Sequence, residues 1–452
     1  MIPTFLSCLL AASLLTCAAG AEFRVNARTS LDQADPAIAM DSGGRFVVVW
    51  SSYFGTAGRS NDILGRIFDA SCTPLSDEFQ VNATTPGNQK EPDVAMDAEG
   101  NFVVVWQGPG DDEEDIFARR FDRNGQAIAD EFRVNTVTGD KQLNPRVAMN
   151  ARGDSAIVWE SENVPEPNKT AICAQLYDSF GAAIGGEFVV NSEPAVCRYP
   201  DVAIDPNGDV AVVWLWDRSS KSILARLFYA DETPRTERFE VSTTGFSSLT
   251  SPSIAMNDTG HFVVTWDGHP HLASQDDIHA RMFDANGIAA EEQFRVNTDT
   301  PGPQQYPRAA ANSAGEFVIV WDSEPDPPES GKDIFAQRYD DAGAPFGHQF
   351  RINTYTTDDQ RYPSVALGSK DQFVTVWQSR EQDGSGWGIF GTMGLLSDPA
   401  DLTGDGLVNF LDFCLLAQQW RRTQEPLTTD LSGDGKIDER DLAFLCQHWL
   451  TP

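Results

Sequence analysis

A tryptophan closes a β-branched run seven times along this chain: FVVVW at Trp50 and Trp106, SAIVW at Trp159, VAVVW at Trp214, FVVTW at Trp266, FVIVW at Trp321 and FVTVW at Trp377. The intervals are 56, 53, 55, 52, 55 and 56 residues. Such a period constrains the fold more than any other feature, because each unit must bury its apolar faces against its neighbours. A Pro-led segment precedes each run, from PAIAM at Pro36 to PSVAL at Pro363. A segment of the DIFARRFD kind follows it, and then a short run such as FQVN at Phe79. These segments are rich in Val, Ile and aromatic residues and bounded by Gly, Asn, Asp and Pro, so they read as strands. Turns such as MDSGGR suit tight hairpins.

Four strands per unit and seven units indicate a mainly β fold, a seven-bladed β-propeller. We call the Pro-led strand a, the Trp strand b, the third c and the FRVN-type strand d. The seventh unit lacks d, while residues Phe23–Asn26 supply a lone d at the start. The expected closure places that lone strand outermost in blade seven, beside Ile389–Leu395, which removes an exposed seam. Strand a is expected innermost, and the seven Trp residues are expected to pack between blades.

Residues 1–21 read as a targeting leader: the run FLSCLLAASLLTC is too short to span a bilayer, and Ala19-Gly20-Ala21 offers a small-residue cleavage site. Cys17 leaves a lipoprotein junction open. The expected organisation is leader 1–21, propeller 22–396, linker 397–400 and a second module 401–452, in a secreted or cell-surface protein. The net charge of −34 opposes binding to nucleic acid, which needs clustered Lys and Arg. Five cysteines follow the leader, and Cys173 with Cys197 is the pair best placed for a bridge. Cys414 and Cys446 read as buried thiols.

After Leu396 the repeat stops. DLTGDGLVNFLDFCLLAQQW (Asp401–Trp420) and DLSGDGKIDERDLAFLCQHW (Asp430–Trp449) form an internal duplicate. Calcium takes oxygens from positions 1, 3, 5, 7, 9 and 12 of such a loop, with Gly at position 6. The first copy offers Asp401, Thr403, Asp405, the Leu407 carbonyl, Asn409 and Asp412. The second offers Asp430, Ser432, Asp434, the Lys436 carbonyl, Asp438 and Asp441. Two Ca²⁺ sites are expected. The duplicate resembles a type I dockerin, two calcium loop–helix motifs without the helix that precedes each loop in an EF-hand. The resemblance covers about 50 residues. It implies docking onto a cohesin module, with partner choice guided by Phe410 and Leu411 in one copy and Glu439 and Arg440 in the other. It also implies a place among secreted polysaccharide-degrading proteins.

Within the propeller, d–a and b–c loops share one face. The residue before each strand-a Pro is expected to ring the channel mouth there: Asp35, Glu91, Asn144, Tyr199, Ser251, Tyr306 and Tyr362. Tyrosines, carboxylates, an amide and a hydroxyl suit a sugar by stacking and hydrogen bonds. Off-pattern aromatics in b–c loops, namely Tyr53, Phe54, Trp216 and Trp387, are further candidates, and Trp387 with Tyr53 and Phe54 could form one platform. Asp35 and Glu91, on adjacent blades, are the candidate catalytic pair for glycoside cleavage. The His269–His271 cluster with Asp276, Asp277 and His279 reads as a solvated loop sooner than a metal site, as does Asp111–Asp115. No serine triad, phosphate loop or nucleotide fingerprint stands out. Three functions remain open: a binding module for carbohydrate or protein, a glycoside hydrolase or polysaccharide lyase, and a structural surface protein.

Overall fold

The computed structural model describes residues 21–447 apart from 57–58, 192–194, 219–220, 244–245, 271–274, 299–301, 325–330, 369–371, 397–409, 422–430 and 432–435. The leader, except for Ala21, and the linker lie outside them. The chain forms seven antiparallel sheets in the order a-b-c-d, a seven-bladed β-propeller. Blade two is representative: Lys90–Met96, Phe102–Pro109, Glu114–Phe121 and Phe132–Arg133. The a strands line the axis and touch one another around the ring, as expected from their small Ala-rich faces. In blade seven the outer strand is Phe23–Arg24, antiparallel to Trp387–Leu395 with Phe23 opposite Gly391.

All seven Trp side chains are buried. Each packs in a core shared by two blades; Trp106, for instance, sits among Ala37, Val49 and Ile63 of blade one. Burying an indole also requires a partner for its N–H. Five of the seven donate to a Gln seventeen residues earlier: Trp50 to Gln33, Trp106 to Gln89, Trp159 to Gln142, Trp321 to Gln304 and Trp377 to Gln360, at 2.9–3.1 Å.

The short d strands are held by more than their ladder. The Asn ending each FRVN run accepts the N–H of the strand-c Ile: Asn82 from Ile63, Asn135 from Ile116, Asn191 from Ile172 and Asn297 from Ile278, all at 2.8 Å. Asn26 does the same for Ile389 at 2.7 Å, 363 residues away. A strand-c Arg then reaches the previous blade's d strand. Arg119 donates to the Val81 carbonyl and Arg66 to the Val25 carbonyl, both at 2.9 Å. Finally, in four blades the acid before the d-strand Phe accepts an N–H from the preceding blade, as Glu131 does from Ala83 at 2.7 Å, Glu78 from Ala27 of blade seven at 2.6 Å and Glu22 from Tyr355 at 3.1 Å, and Gln293 and Gln349 do so in blades five and six. The junction between blades seven and one therefore carries the same contacts as an interior junction.

Many acids serve the turns. Asp41, Asp97 and Asp205 each accept two backbone N–H groups in an a–b turn, and Asp122, Asp178 and Asp284 do so in c–d turns. Cys173 and Cys197 correct the expected bridge: both are free, buried thiols, whose pKa values burial pushes up to about 12. Cys173 lies opposite Trp159 in blade three and Cys197 opposite Trp216 in blade four.

The C-terminal module contains two helices, Phe410–Gln419 and Glu439–Gln447. Leu416, Ile437 and Leu445 form its buried core, flanked by Phe413, Trp420, Leu442 and Phe444. Cys414 is only partly buried and Cys446 is exposed, against expectation. Among the described residues no helix is long and apolar enough to cross a membrane.

Asn26→Ala leaves the buried Ile389 N–H without its acceptor, and Asn82→Ala does the same to Ile63. Each is expected to cost about 1–3 kcal/mol in reversible unfolding. A silent Asn26→Ala beside a costly Asn82→Ala would show that the closing junction is not equivalent to the others.

Candidate functional site

Proline cannot donate to a ladder, and it sits in the innermost strand of every blade, third or fourth along it in six and seventh in blade five. Each blade answers with a bulge. In blade one, Ala34 pairs with Ser51 and Ala37 with Val49, so strand a carries one extra residue. The same shift recurs at the other six prolines. The residue before each proline is thereby turned into the left-handed region: Asp35, Glu91, Asn144, Tyr199, Ser251, Tyr306 and Tyr362 have φ between 48° and 55°. That conformation costs an ordinary L-residue about 1–2 kcal/mol. Glycine would avoid the cost, yet none of the seven is glycine.

All seven line one cavity of about 440 Å³ on the axis. The expected ring is thus assembled around a single cavity. A second ring, two residues further along each strand, contains Asp93, Arg146, Asp201, Ser253 and Arg308. The sequence reading did not single these out, although unlike charges at one repeat position were a visible signal. Asp93 accepts the Val147 N–H at 2.9 Å and Asp201 the Ile254 N–H at 2.9 Å, each tying one inner strand to the next.

Four of the strained residues are supported from the neighbouring blade, by the side chain that follows its Trp. Gln378 accepts the Asp35 N–H at 3.1 Å, Gln107 that of Asn144 at 3.0 Å and Glu160 that of Tyr199 at 2.6 Å. Asp322 accepts that of Tyr362. Glu160 also accepts from the Asn144 side chain at 2.8 Å.

The ring has two unlike sides. On blades one and two, burial and then the neighbouring Glu91 carboxylate raise the Asp35 pKa to about 7. On blades six and seven, Tyr306 and Tyr362 meet edge to face with centroids 4.6 Å apart. Behind them Lys332 is buried, pairing with Asp322 at 2.9 Å, bonding Gln305 at 3.0 Å and lying 5.7 Å from the Tyr306 ring centroid. Burial lifts Asp322 to about 6, with Lys332 opposing it. Burial, Asp276 and Asp322 lift Asp267 to about 7. Among the described residues no other blade pairs a Lys with the residue that follows its Trp.

The remaining candidates are placed as follows. Asp32 gathers Tyr53 and Trp387: its carbonyl accepts the Tyr53 N–H at 2.9 Å and its carboxylate the Trp387 N–H at 3.1 Å. Tyr53 is exposed and Trp387 half-buried. Phe54 packs against the core of blades seven and one, with the Arg28 guanidinium 4.2 Å from its ring centre. Trp216 carries two guanidiniums, Arg218 at 3.8 Å and Arg238 at 4.4 Å. Its ring is engaged by the protein itself. His279 does not belong to a solvated loop. His279 is buried between Trp266 and Phe246, and burial lowers its pKa to about 4, while His269 bonds Asp276 at 2.7 Å. His271 lies outside the described residues. In the acidic run Asp111–Asp115, Asp115 is buried and accepts from Asn135 at 2.6 Å.

In the C-terminal module, Asp412 and Asp441 occupy the same loop position, each in the first turn of its helix, and both are fully buried. Asp441 accepts the Asp438 N–H at 2.7 Å. Buried carboxylates require a donor or a cation, which is compatible with the expected calcium loops. Lys436 is exposed. Asp401, Thr403, Asp405, Leu407, Asn409, Asp430, Ser432 and Asp434 lie outside the described residues. Of the partner candidates, Phe410, Glu439 and Arg440 are exposed, and the Leu411 side chain is not among those described.

Asp35 and Asp267 at about 7, with Asp93 and Asp322 at about 6, all sit above the unfolded carboxylate value. The folded state therefore binds more protons, and stability is expected to fall as pH rises from 5 to 8, levelling above the folded pKa values. Asp35→Asn is expected to flatten that slope in melting curves, and an unchanged slope would contradict the assignment.

Residues 399–450 match the family model of the dockerin type I domain. No curated protein matches the chain. Among solved structures, a protein of unknown function from Dyadobacter fermentans DSM 18053 is 11% identical, with 84% of this chain and 98% of that one covered and a TM-score of 0.51. An ulvan lyase of a polysaccharide lyase family is 9% identical over 84% and 95%, with a TM-score of 0.51. A fungal alcohol oxidase in complex with copper is 11% identical over 86% and 78%, with a TM-score of 0.51. At these identities the likeness is one of fold. The chain is a seven-bladed β-propeller followed by a segment that matches the type I dockerin domain.

Proposed function

We propose that this is an extracellular component of a polysaccharide-degrading assembly, whose propeller binds saccharide at the channel mouth. Its residues 401–452 bind two Ca²⁺ and dock onto a cohesin module, and residues 1–21 direct export. The observation that carries the propeller reading is the ring itself. Seven left-handed positions, costly for Glu91, Tyr199, Ser251, Tyr306 and Tyr362 in particular, hold polar or aromatic side chains around one cavity. A fold that needed only the bulge would be more stable with glycine there. The Tyr306–Tyr362 pair supplies apolar ring surface, and Asn144, Ser251 and the carboxylates supply hydrogen bonds, the combination a sugar requires.

For the tail, the dockerin match and the two buried position-12 carboxylates support calcium binding. Calcium would be held by the loop oxygens of Asp401 to Asp412 and Asp430 to Asp441, and would fix each loop against its helix. Chelation is expected to unfold residues 401–449, seen as lost helical circular dichroism that calcium restores. An unchanged spectrum would refute it.

A second reading is favoured by one observation, the raised Asp35 carboxyl beside Glu91. A carboxyl titrating near neutrality beside a second carboxyl group can serve general acid catalysis, so a glycoside hydrolase or lyase at the same mouth is the alternative. One experiment separates the two. The whole protein is incubated with plant and algal polysaccharides, and co-sedimentation and new chain ends are both assayed. Binding without new ends, reduced tenfold or more by Tyr306→Ala, is the expected result. New ends abolished by Asp35→Asn and Glu91→Gln would make it an enzyme, and neither signal would overturn the saccharide reading.

A further inference from the structure

We propose that the channel mouth accepts uncharged glycans and rejects acidic ones, uronates and sulfated sugars alike. The inference rests on the saccharide reading of the same cavity and names its substrate class. The acidic and basic side chains lining the cavity are four carboxyl groups, Asp35, Glu91, Asp93 and Asp201, against two guanidiniums, Arg146 and Arg308; Asp35, raised to about 7, is partly protonated at neutral pH. The balance is negative, and its distribution matters more than its sum. The carboxylates of Asp35 and Glu91 stand in the outer ring, where a ligand arrives, and that ring contains no base. Both guanidiniums stand in the deeper ring.

The two arginines are also engaged. Arg146 donates to the Pro145 carbonyl at 2.8 Å and offsets the charge of Asp93 and Asp35. Arg308 donates to the Pro307 carbonyl at 3.3 Å and faces Asp201, Asp93 and Glu91. The bases on the shoulder of the mouth are matched in the same way: Lys90 with Glu114 at 2.9 Å, Lys332 with Asp322 at 2.9 Å and Arg361 with Asp359 at 2.7 Å. A carboxylate or sulfate on the ligand would approach the two outer acids before it reached the guanidiniums, which Asp93, Asp201 and Glu91 already face, and partial burial of the site strengthens like-charge repulsion. An uncharged ring meets no such barrier. Its faces can lie on Tyr306 and Tyr362, and its hydroxyls can donate to Asp35 and Glu91 as acceptors.

The test is calorimetric titration of the whole protein with two sets of oligosaccharides. Cello-, xylo- and arabino-oligosaccharides form the uncharged set. Oligogalacturonate and a sulfated rhamnose-containing oligosaccharide form the acidic set. At least one uncharged probe is expected to bind, with both acidic probes at least tenfold weaker. The variant Asp35→Asn with Glu91→Gln is expected to narrow that gap at least threefold by strengthening the acidic probes. Glu91→Gln alone serves if the double variant melts abnormally. An acidic probe binding as tightly as every uncharged one would overturn the charge preference and leave the saccharide reading standing. A gap unmoved by the variants would overturn its assignment to these two residues. No binding by any probe would overturn the saccharide reading itself.

Discussion

The architecture of the mouth follows from a missing hydrogen-bond donor. Proline in the innermost strand, an edge strand paired on one side only, cannot donate to the strand beside it. Each blade inserts one residue, and the chain turns through the left-handed region just before the proline. That turn aims one side chain per blade at the axis. The cavity, the acid pair on one side and the tyrosine pair on the other all descend from this single local solution, repeated seven times. The support is also local. A polar residue following the tryptophan of one blade holds the strained N–H of the next, as Gln107 holds Asn144 and Glu160 holds Tyr199.

Between blades the repeat works as a set of polar stitches laid over an apolar core. Each d strand is short, yet it is tied to its own c strand by an Asn, or by Ser242 in blade four, and those of blades seven, one, three and four are tied to the following blade by an Arg. Both contacts reach buried or half-buried backbone groups, where a lost partner is expensive. The acidic composition is in part a consequence of this economy. Aspartates such as Asp41 and Asp122 spend their charge on turn N–H groups, and do not merely face water.

The blades, their strand order and the mouth ring were legible because they depend on period, and period survives in any single sequence. The N-terminal FRVN could be assigned to blade seven because the seventh unit lacks strand d and Phe23–Asn26 supply a lone one. What period could not give was the side-chain environment. The second charged ring was hidden inside the PDVAM and PRVAM runs, which read simply as strand. His279 looked like part of a polar loop, but its neighbours in space are Trp266 and Phe246, from other strands. Trp216 looked like a free platform until Arg238, twenty-two residues away, was found over its ring. Cys173 and Cys197 are near in sequence but sit on different blades, facing different cores.

The contact between Asn26 and Ile389 sets an order on how this molecule can be made. Every interior blade is complete once its own fifty or so residues are available, so six of them can form as local units. The seventh must wait for a segment 363 residues distant. Closing so long a loop adds little equilibrium cost, since the entropy grows only logarithmically with length, but it makes the step late and non-local. Until it occurs, strand Trp387–Leu395 presents an unpaired edge and Glu22 has no amides to accept. The interval between synthesis and closure is therefore the period in which this chain is most exposed to mispairing with another copy of itself.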